Sequence, residues 1–171
     1  TRSPSTPLGS ADTPANPCAF ALGSGARFVA RGIDIHKNLV GVLKAAHAHK
    51  GTSFVEIFQN CIVYNDDVFA PFAAKPNAAT SQLWVEQGKP LVFAGGTKGL
   101  AFDVESLSLK VVDVVDGDVS GVLIHDKANR GLAHMLVEMP FGEFPMALGV
   151  IFENPAPTFD SAVVAQNKAA S

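Results

Sequence analysis

The sequence predicts an α/β protein in which one βαβ unit of a parallel sheet is followed by a mixed α+β portion. Three observations carry that reading. Short apolar runs over 27–30 and 53–60 flank a segment whose apolar residues recur at helical spacing. From Gln82 onward the texture changes to short apolar runs joined by glycine-rich links, which suits antiparallel pairing. At 171 residues and 47% hydrophobic, the chain can bury a substantial core as one domain or one compact portion of a larger one.

Residues 1–17, rich in Pro, Ser, Thr and Gly, predict an irregular segment that follows the surface. "CAFALGSGARFVARG" then offers a short helix over 18–22, a break at Gly23 and Gly25, and a strand over 27–30. A helix over 35–49 follows, because Leu39, Val40, Val42, Leu43 and Ala46 fall on neighbouring turns. Asp34 is placed to cap its start and Gly51 to end it. In the strand over 53–60, Phe54, Glu56, Phe58 and Asn60 share one side, and Val55, Ile57 and Gln59 the other. Strand, helix and strand with short links make a βαβ unit, whose crossover is expected to be right-handed.

Residues 62–80 show no sustained period and contain two prolines, which predicts a long loop with one helical turn. Beyond it the sequence predicts a hairpin around "GGTKG" and a strand near 110–114. A helix near 129–138, a strand over 146–152 and a last helix from Thr158 to about Lys168 complete the chain. There is no internal repeat.

Chemistry-bearing residues gather in "AAHAHKGTSFVEIFQNC", 45–61. Residues two apart on a helix are separated by about 200°, so His47 and His49 diverge and do not chelate one ion. Both are expected exposed or hydrogen-bonded near the helix end, where the macrodipole favours partial positive charge. Glu56 alone interrupts an apolar strand. It reads either as a functional carboxylate or as half of a structural ion pair or hydrogen bond. In parallel sheets, sites lie beyond the carboxyl ends of strands, which is where Gln59, Asn60 and Cys61 fall. Two other stretches resemble motifs without meeting their requirements. "GGTKG" lacks the spacing and the following helix of a phosphate loop. In "VVDGDVS", Asp116 and Gly117 form a common turn dipeptide.

A net charge of −3 with scattered basic residues argues against nucleic acid or an anionic membrane as partner. No apolar run approaches the about 18 residues of a membrane span, and the first residues have no apolar stretch of a secretion signal. Cys18 and Cys61, the two cysteines, supply neither a disulfide framework nor a four-cysteine metal site. They are expected as free, buried thiols in a reducing cytoplasm. A mean hydropathy of +0.22 suits a surface partly covered by a partner. The sequence begins at Thr1, in a polar stretch without a methionine, and an upstream portion is therefore expected.

Six stretches in order, "STPLGS", "NPCAFALGSGARFVAR", "AHKGTSFVEIFQNCIVYND", "GKPLVF", "IHD" and "PTFDSAVVAQ", resemble the carboxyl-terminal half of the β subunit of 2-oxoacid:ferredoxin oxidoreductases, most of all the 2-oxoglutarate type. The resemblance implies that 1–66 are the last βαβ part of a thiamine diphosphate-binding domain and 67–171 a carboxyl-terminal extension. It implies an enzyme that decarboxylates a 2-oxoacid to an acyl-coenzyme A and sends electrons through [4Fe–4S] clusters to ferredoxin. Thiamine diphosphate and Mg2+ serve in the full enzyme, with the rest of the β subunit and an α subunit as partners. The family's magnesium, diphosphate and cluster-binding motifs precede the part resembled here, so this segment alone is expected to hold no cofactor and to be inactive. A non-enzymatic assembly or scaffold fragment of such a complex is the alternative.

Residue by residue, the resemblance carries over little. Thr6 continues a loop that leaves the family's cofactor pocket. Arg31 and Lys37, at or beyond a strand's carboxyl end, are candidates to meet a substrate carboxylate or coenzyme A phosphates, with a solvated helix-start lysine as the alternative for Lys37. Ile62 stands where the family has a proline after its cysteine, so the exit from the strand differs. Cys61 is expected to be a packed small residue.

Overall fold

The computed structural model describes residue 2 and residues 4–170. Asn16 starts the first helix, α1 (Pro17–Gly23), by accepting a hydrogen bond from the Ala19 N–H at 3.1 Å. Pro17 opens it, at a position where a missing N–H costs nothing. β1 (Phe28–Ile33) follows and is buried along its whole length. It runs beyond the expected end at residue 30, so Arg31 lies within the strand.

The helix α2 (Leu39–Ala48) starts later than expected. Asp34 does not cap it, because the Asp34 N–H bonds to the Phe58 carbonyl (3.1 Å) and its carboxylate accepts from the Ile35 N–H (2.8 Å). The strand ladder thus claims the residue that the spacing assigned to the helix. β2 (Phe54–Phe58) pairs parallel with β1, Val29 standing opposite Phe54 and Ile33 opposite Phe58. Two short helices, α3 (Ala70–Ala73) and α4 (Lys75–Ser81), replace the single helical turn expected after β2. Each carries a proline in its first turn, so the prolines that suggested a loop start helices instead.

β3 (Gln82–Val85) leads to a hairpin of β4 (Val92–Phe93) and β5 (Lys98–Asp103) around the expected glycine turn, and β6 (Ser108–Asp113) completes a three-stranded antiparallel sheet. α5 (Arg130–Glu138) is capped by Asn129, whose side chain accepts from the Leu132 N–H at 3.0 Å. β7 (Met146–Glu153) and α6 (Phe159–Ala169), capped by Thr158, end the described chain.

The larger sheet has the order β2-β1-β7-β3, with β7 antiparallel to β1 and parallel to β3. Strands from both sides of residue 66 therefore share one sheet. One face, with Val29, Ile151 and Phe152, packs with Leu22 of α1 and Leu136 of α5 and joins the smaller sheet through Leu100 and Leu109. The opposite face sets Phe28 and Ala30 against Val42 of α2. Gly149 holds φ at +105° inside β7, and a Cβ there would stand 2.8 Å from the Val85 carbonyl oxygen, so the contact between β7 and β3 requires glycine. No described helix is long and apolar enough to cross a membrane.

Candidate functional site

The parallel pair ends at Ile33 and Phe58, side by side, and the chain leaves both ends on the same rim. There Asp34, Ile35, Phe58, Asn60, Asp67 and Phe69 border a cavity of about 260 Å3. Asn60 organises the loop beyond β2: its amide donates to the Asp66 carboxylate (2.8 Å) and its carbonyl accepts from the Asp67 N–H (2.9 Å). The loop turns back on itself through a hydrogen bond from the Asn65 N–H to the Cys61 carbonyl, 3.0 Å.

That return exposes Cys61, contrary to the expected packed position. The backbone N–H groups of Tyr64 and Val63 point at its sulfur and hold its pKa below the ordinary thiol value. Cys18 is the opposite case. It is buried, its thiol donates to a Glu56 carboxylate oxygen (3.3 Å), and burial pushes its pKa up to about 12.

The structure brings Arg31 and Glu56 together. The Arg31 Nε lies 2.6 Å from Glu56 Oε2, and the guanidinium also reaches the Asn16 side-chain oxygen (3.2 Å) and the Val137 carbonyl (3.3 Å). Its side chain is 7% exposed, so the cation joins β1, β2, the start of α1 and the last turn of α5 from inside the protein. Of the two readings open for Glu56, the structural ion pair is the one observed.

Lys37 stands elsewhere. It is exposed and, with Asn38, Trp84, Gln87 and Lys127, borders a cavity of about 490 Å3 on the α2 side, whereas Arg31 points to the α1 and α5 side. The His36 ring stacks on the Trp84 indole, centroids 4.3 Å apart, and burial followed by the nearby Lys37 charge lowers the His36 pKa. A cation beside an indole floor is chemically suited to an anionic group attached to an apolar or aromatic body. Thr6 lies in the first turn, half-buried, where its carbonyl accepts from the Gly9 N–H at 2.9 Å. Sequence reasoning missed Trp84 and Lys127 at this cavity, because the pairing of β3 with β7 carries Trp84 there and long-range hydrogen bonds to Gln87 and Glu153 hold Lys127 beside it. His36, next to Lys37, left no signal beyond its neighbour.

His49 departs from expectation as well. His47 is exposed, but His49 turns inward at the end of α2, its ring 5.4 Å from Phe28 and its Nδ1 3.7 Å from a Glu153 carboxylate oxygen, with no hydrogen bond to either ring nitrogen. The extended backbone at residue 49 (ψ 135°) swings the side chain under the sheet instead of into solvent.

Two cysteines cannot supply four thiolates, and Cys18 is engaged with Glu56. Among the described residues, no three His, Cys, Asp or Glu side chains gather as metal ligands would.

No family model matches the chain. The chain is similar to the 2-oxoglutarate oxidoreductase subunit KorB of Mycobacterium tuberculosis, with 34% identity over 97% of this chain and 45% of the relative. It is also similar to the 2-oxoacid:ferredoxin oxidoreductase 1 subunit beta of Aeropyrum pernix, with 39% identity over 40% of this chain and 22% of the relative. A solved structure of 2-oxoglutarate:ferredoxin oxidoreductase from Magnetococcus marinus, with 2-oxoglutarate, coenzyme A and succinyl-CoA bound, shares the fold at a TM-score of 0.64. That match covers 99% of this chain and 44% of the other at 20% identity. The chain thus spans less than half the length of the relatives it matches, and the match falls in their carboxyl-terminal part.

Proposed function

We propose that this chain, which is homologous to the carboxyl-terminal part of 2-oxoacid:ferredoxin oxidoreductase β subunits, works as that part of an oxidoreductase converting 2-oxoglutarate and coenzyme A to succinyl-coenzyme A, CO2 and reduced ferredoxin. The observation that carries the reading is 34% identity to the 2-oxoglutarate-type subunit over 97% of the chain. Residues 1–66 are the closing part of the thiamine diphosphate-binding domain and 67–171 its extension. Thiamine diphosphate, Mg2+ and iron–sulfur clusters belong to the assembled cytoplasmic enzyme and are held by the remainder of the β subunit, which works with an α subunit. This chain contributes scaffold. The buried Arg31–Glu56 pair fixes the two parallel strands, and the rim at their carboxyl ends, with Lys37 nearby in sequence, faces the reacting molecules.

Native mass spectrometry of the assembly purified through a tag on this chain, together with reduction of a viologen dye, tests the reading. Expected are a second polypeptide, retained thiamine diphosphate, and dye reduction that requires both 2-oxoglutarate and coenzyme A. A chain that flies alone and cofactor-free removes the catalytic reading and leaves a scaffold. Activity with a different 2-oxoacid replaces the substrate only.

A further inference from the structure

The turn between β5 and β6 and the end of α5 border an apolar cavity of about 460 Å3. Leu107, Leu109, Met135, Met139 and Phe144 line it, and the two methionines can adapt to whatever hydrocarbon enters. Its walls also hold two carboxylates, Glu138 at the end of α5 and Glu143 in the link to β7. No lysine or arginine borders the cavity, and among the described residues neither carboxylate has an ion pair. Glu138 stands at the negative end of the helix dipole, where a cation is favoured, yet the last turn of α5 has no basic residue. The chain itself leaves the negative charge of this cavity unbalanced.

The neighbouring turn adds an independent observation. Leu107 holds φ at +53°, in the left-handed region that favours Gly, Asn and Asp. The other described non-glycine residues with positive φ are Asp67, Ala94 and Asp116, so a long hydrocarbon side chain takes this conformation only here. The Asp103 carboxylate accepts from the Glu105 N–H at 3.2 Å, and the Ser106 and Ser108 hydroxyls lie 2.8 Å apart, which holds the turn in shape. Leu107 is consequently 73% exposed at the border of the cavity, and Val104 in the same turn is 74% exposed. Backbone strain that sets apolar side chains in water points to a contact made by another molecule.

We infer that this cavity docks a segment of another polypeptide in which an apolar side chain adjoins a lysine or arginine. The apolar side chain fills the space among Leu107, Met135 and Met139, and the cation meets Glu138 and Glu143. Charge selects this occupant, because two unpaired carboxylates favour a cation and repel an acidic segment or an anionic lipid. A second copy of the chain fits poorly. Its basic and apolar face is α2, where Val40 and Leu43 are exposed beside Lys44 and His47, but α2 and α5 pack on opposite faces of the larger sheet. Copies joined through those two faces form an open chain of molecules instead of a closed dimer. The inference uses only this chain's side chains and does not depend on the reaction proposed above.

Photo-cross-linking of the tagged assembly, with Leu107 replaced by p-benzoylphenylalanine, tests the docking, and peptide mapping identifies what is bound. The expected result is a cross-link to a different polypeptide, at a segment that carries lysine or arginine beside the linked residue. Glu138→Lys combined with Glu143→Lys then lowers retention of that polypeptide about tenfold or more, through like-charge repulsion. Should that variant misfold, Glu138→Gln with Glu143→Gln keeps the side-chain size and removes the charge. Retention then falls below that of the parent and loses the parent's dependence on salt. Cross-links only to another copy of this chain, or only to segments without lysine or arginine, overturn the inference. The absence of any cross-link overturns it too, and if that assembly still reduces dye with 2-oxoglutarate and coenzyme A, the proposed function stands. A cross-link to a basic and apolar segment in an assembly without that activity supports the docking site and removes the proposed function.

Discussion

Arg31 and Glu56 stand directly opposite each other on neighbouring parallel strands, with the guanidinium Nε 2.6 Å from the carboxylate. Side-chain exposures of 7% and 17% place the pair inside the protein, where removing one partner strands a charge. Glu56→Leu or Arg31→Met alone should each cost about 3–5 kcal/mol of unfolding free energy. The double replacement Arg31→Met with Glu56→Leu should recover most of that loss, because no buried charge remains. Urea titration of the four proteins measures the cycle, and additive losses would show that the two residues do not act as a pair.

The two thiols should differ sharply in reactivity. Cys61 is exposed and its pKa is held down by the Tyr64 and Val63 N–H groups, while burial pushes Cys18 up to about 12. At pH 8, an aromatic disulfide reagent should label one thiol per native chain, two after denaturation, and none in native Cys61→Ser. The raised Cys18 pKa also sets an alkaline limit. The folded state holds this proton more tightly, so its contribution is intact below the ordinary value of 9.0 and is lost as pH climbs toward about 12. A second labelled thiol in the native protein at pH 8 contradicts the burial of Cys18.

Lys37 borders its cavity from an exposed position, so Lys37→Ala should leave stability within about 0.5 kcal/mol of the parent. If its charge meets a carboxylate or phosphate, the variant assembly shows a KM for coenzyme A or the 2-oxoacid raised about tenfold, which corresponds to about 1.4 kcal/mol, with a smaller change in kcat. Unchanged kinetics would make it a solvated lysine at the approach to α2.

The local elements were legible in the sequence because their signals are local. The apolar spacing of α2, the Thr158 cap and the "GGTKG" turn each act within a few residues. The insertion of β7 between β1 and β3 was not legible, since it joins residues more than 100 positions apart and the run over 146–152 reads the same in any buried strand. The partner of Glu56 was hidden too, although it lies in the neighbouring strand: the need for one was visible, but the parallel register decides that it is Arg31. His49 misled because a one-residue change at a helix end moves a side chain from solvent to core.

Gly149 offers a test of the join between β7 and β3. Its φ of +105° and the 2.8 Å that would separate an added Cβ from the Val85 carbonyl oxygen leave no room for alanine. Gly149→Ala should destabilise by about 1–3 kcal/mol from backbone strain alone, with the added clash increasing it. Gly41→Ala is the control. That glycine lies in α2 with nothing within 4 Å of an added Cβ, so the change should be neutral or stabilising by up to about 1 kcal/mol. Equal effects in thermal unfolding would mean that the Gly149 contact does not constrain the sheet.

His125 should make the fold acid-sensitive. It is 1% exposed, its Nε2 lies 3.0 Å from the Val150 carbonyl, and its Nδ1 has no hydrogen-bond partner. The ring is therefore held neutral, with Nε2 donating to Val150, and burial lowers its pKa from the ordinary 6.5, opposed by the Val150 hydrogen bond and Asp126 and aided by Lys127. The unfolded chain takes up the proton first as pH falls. Stability from this group is therefore complete above pH 6.5 and declines below it, with a slope of at most about 1.4 kcal/mol per pH unit. His36, whose pKa is also lowered by burial, adds to the loss in the same window. His125→Gln retains a donor for Val150 without a titrating ring, so the pH dependence of unfolding should flatten below 6.5 and flatten further when His36→Gln is added. An unchanged slope in both variants would assign the acid sensitivity to carboxylates instead, whose protonation begins lower on the pH scale.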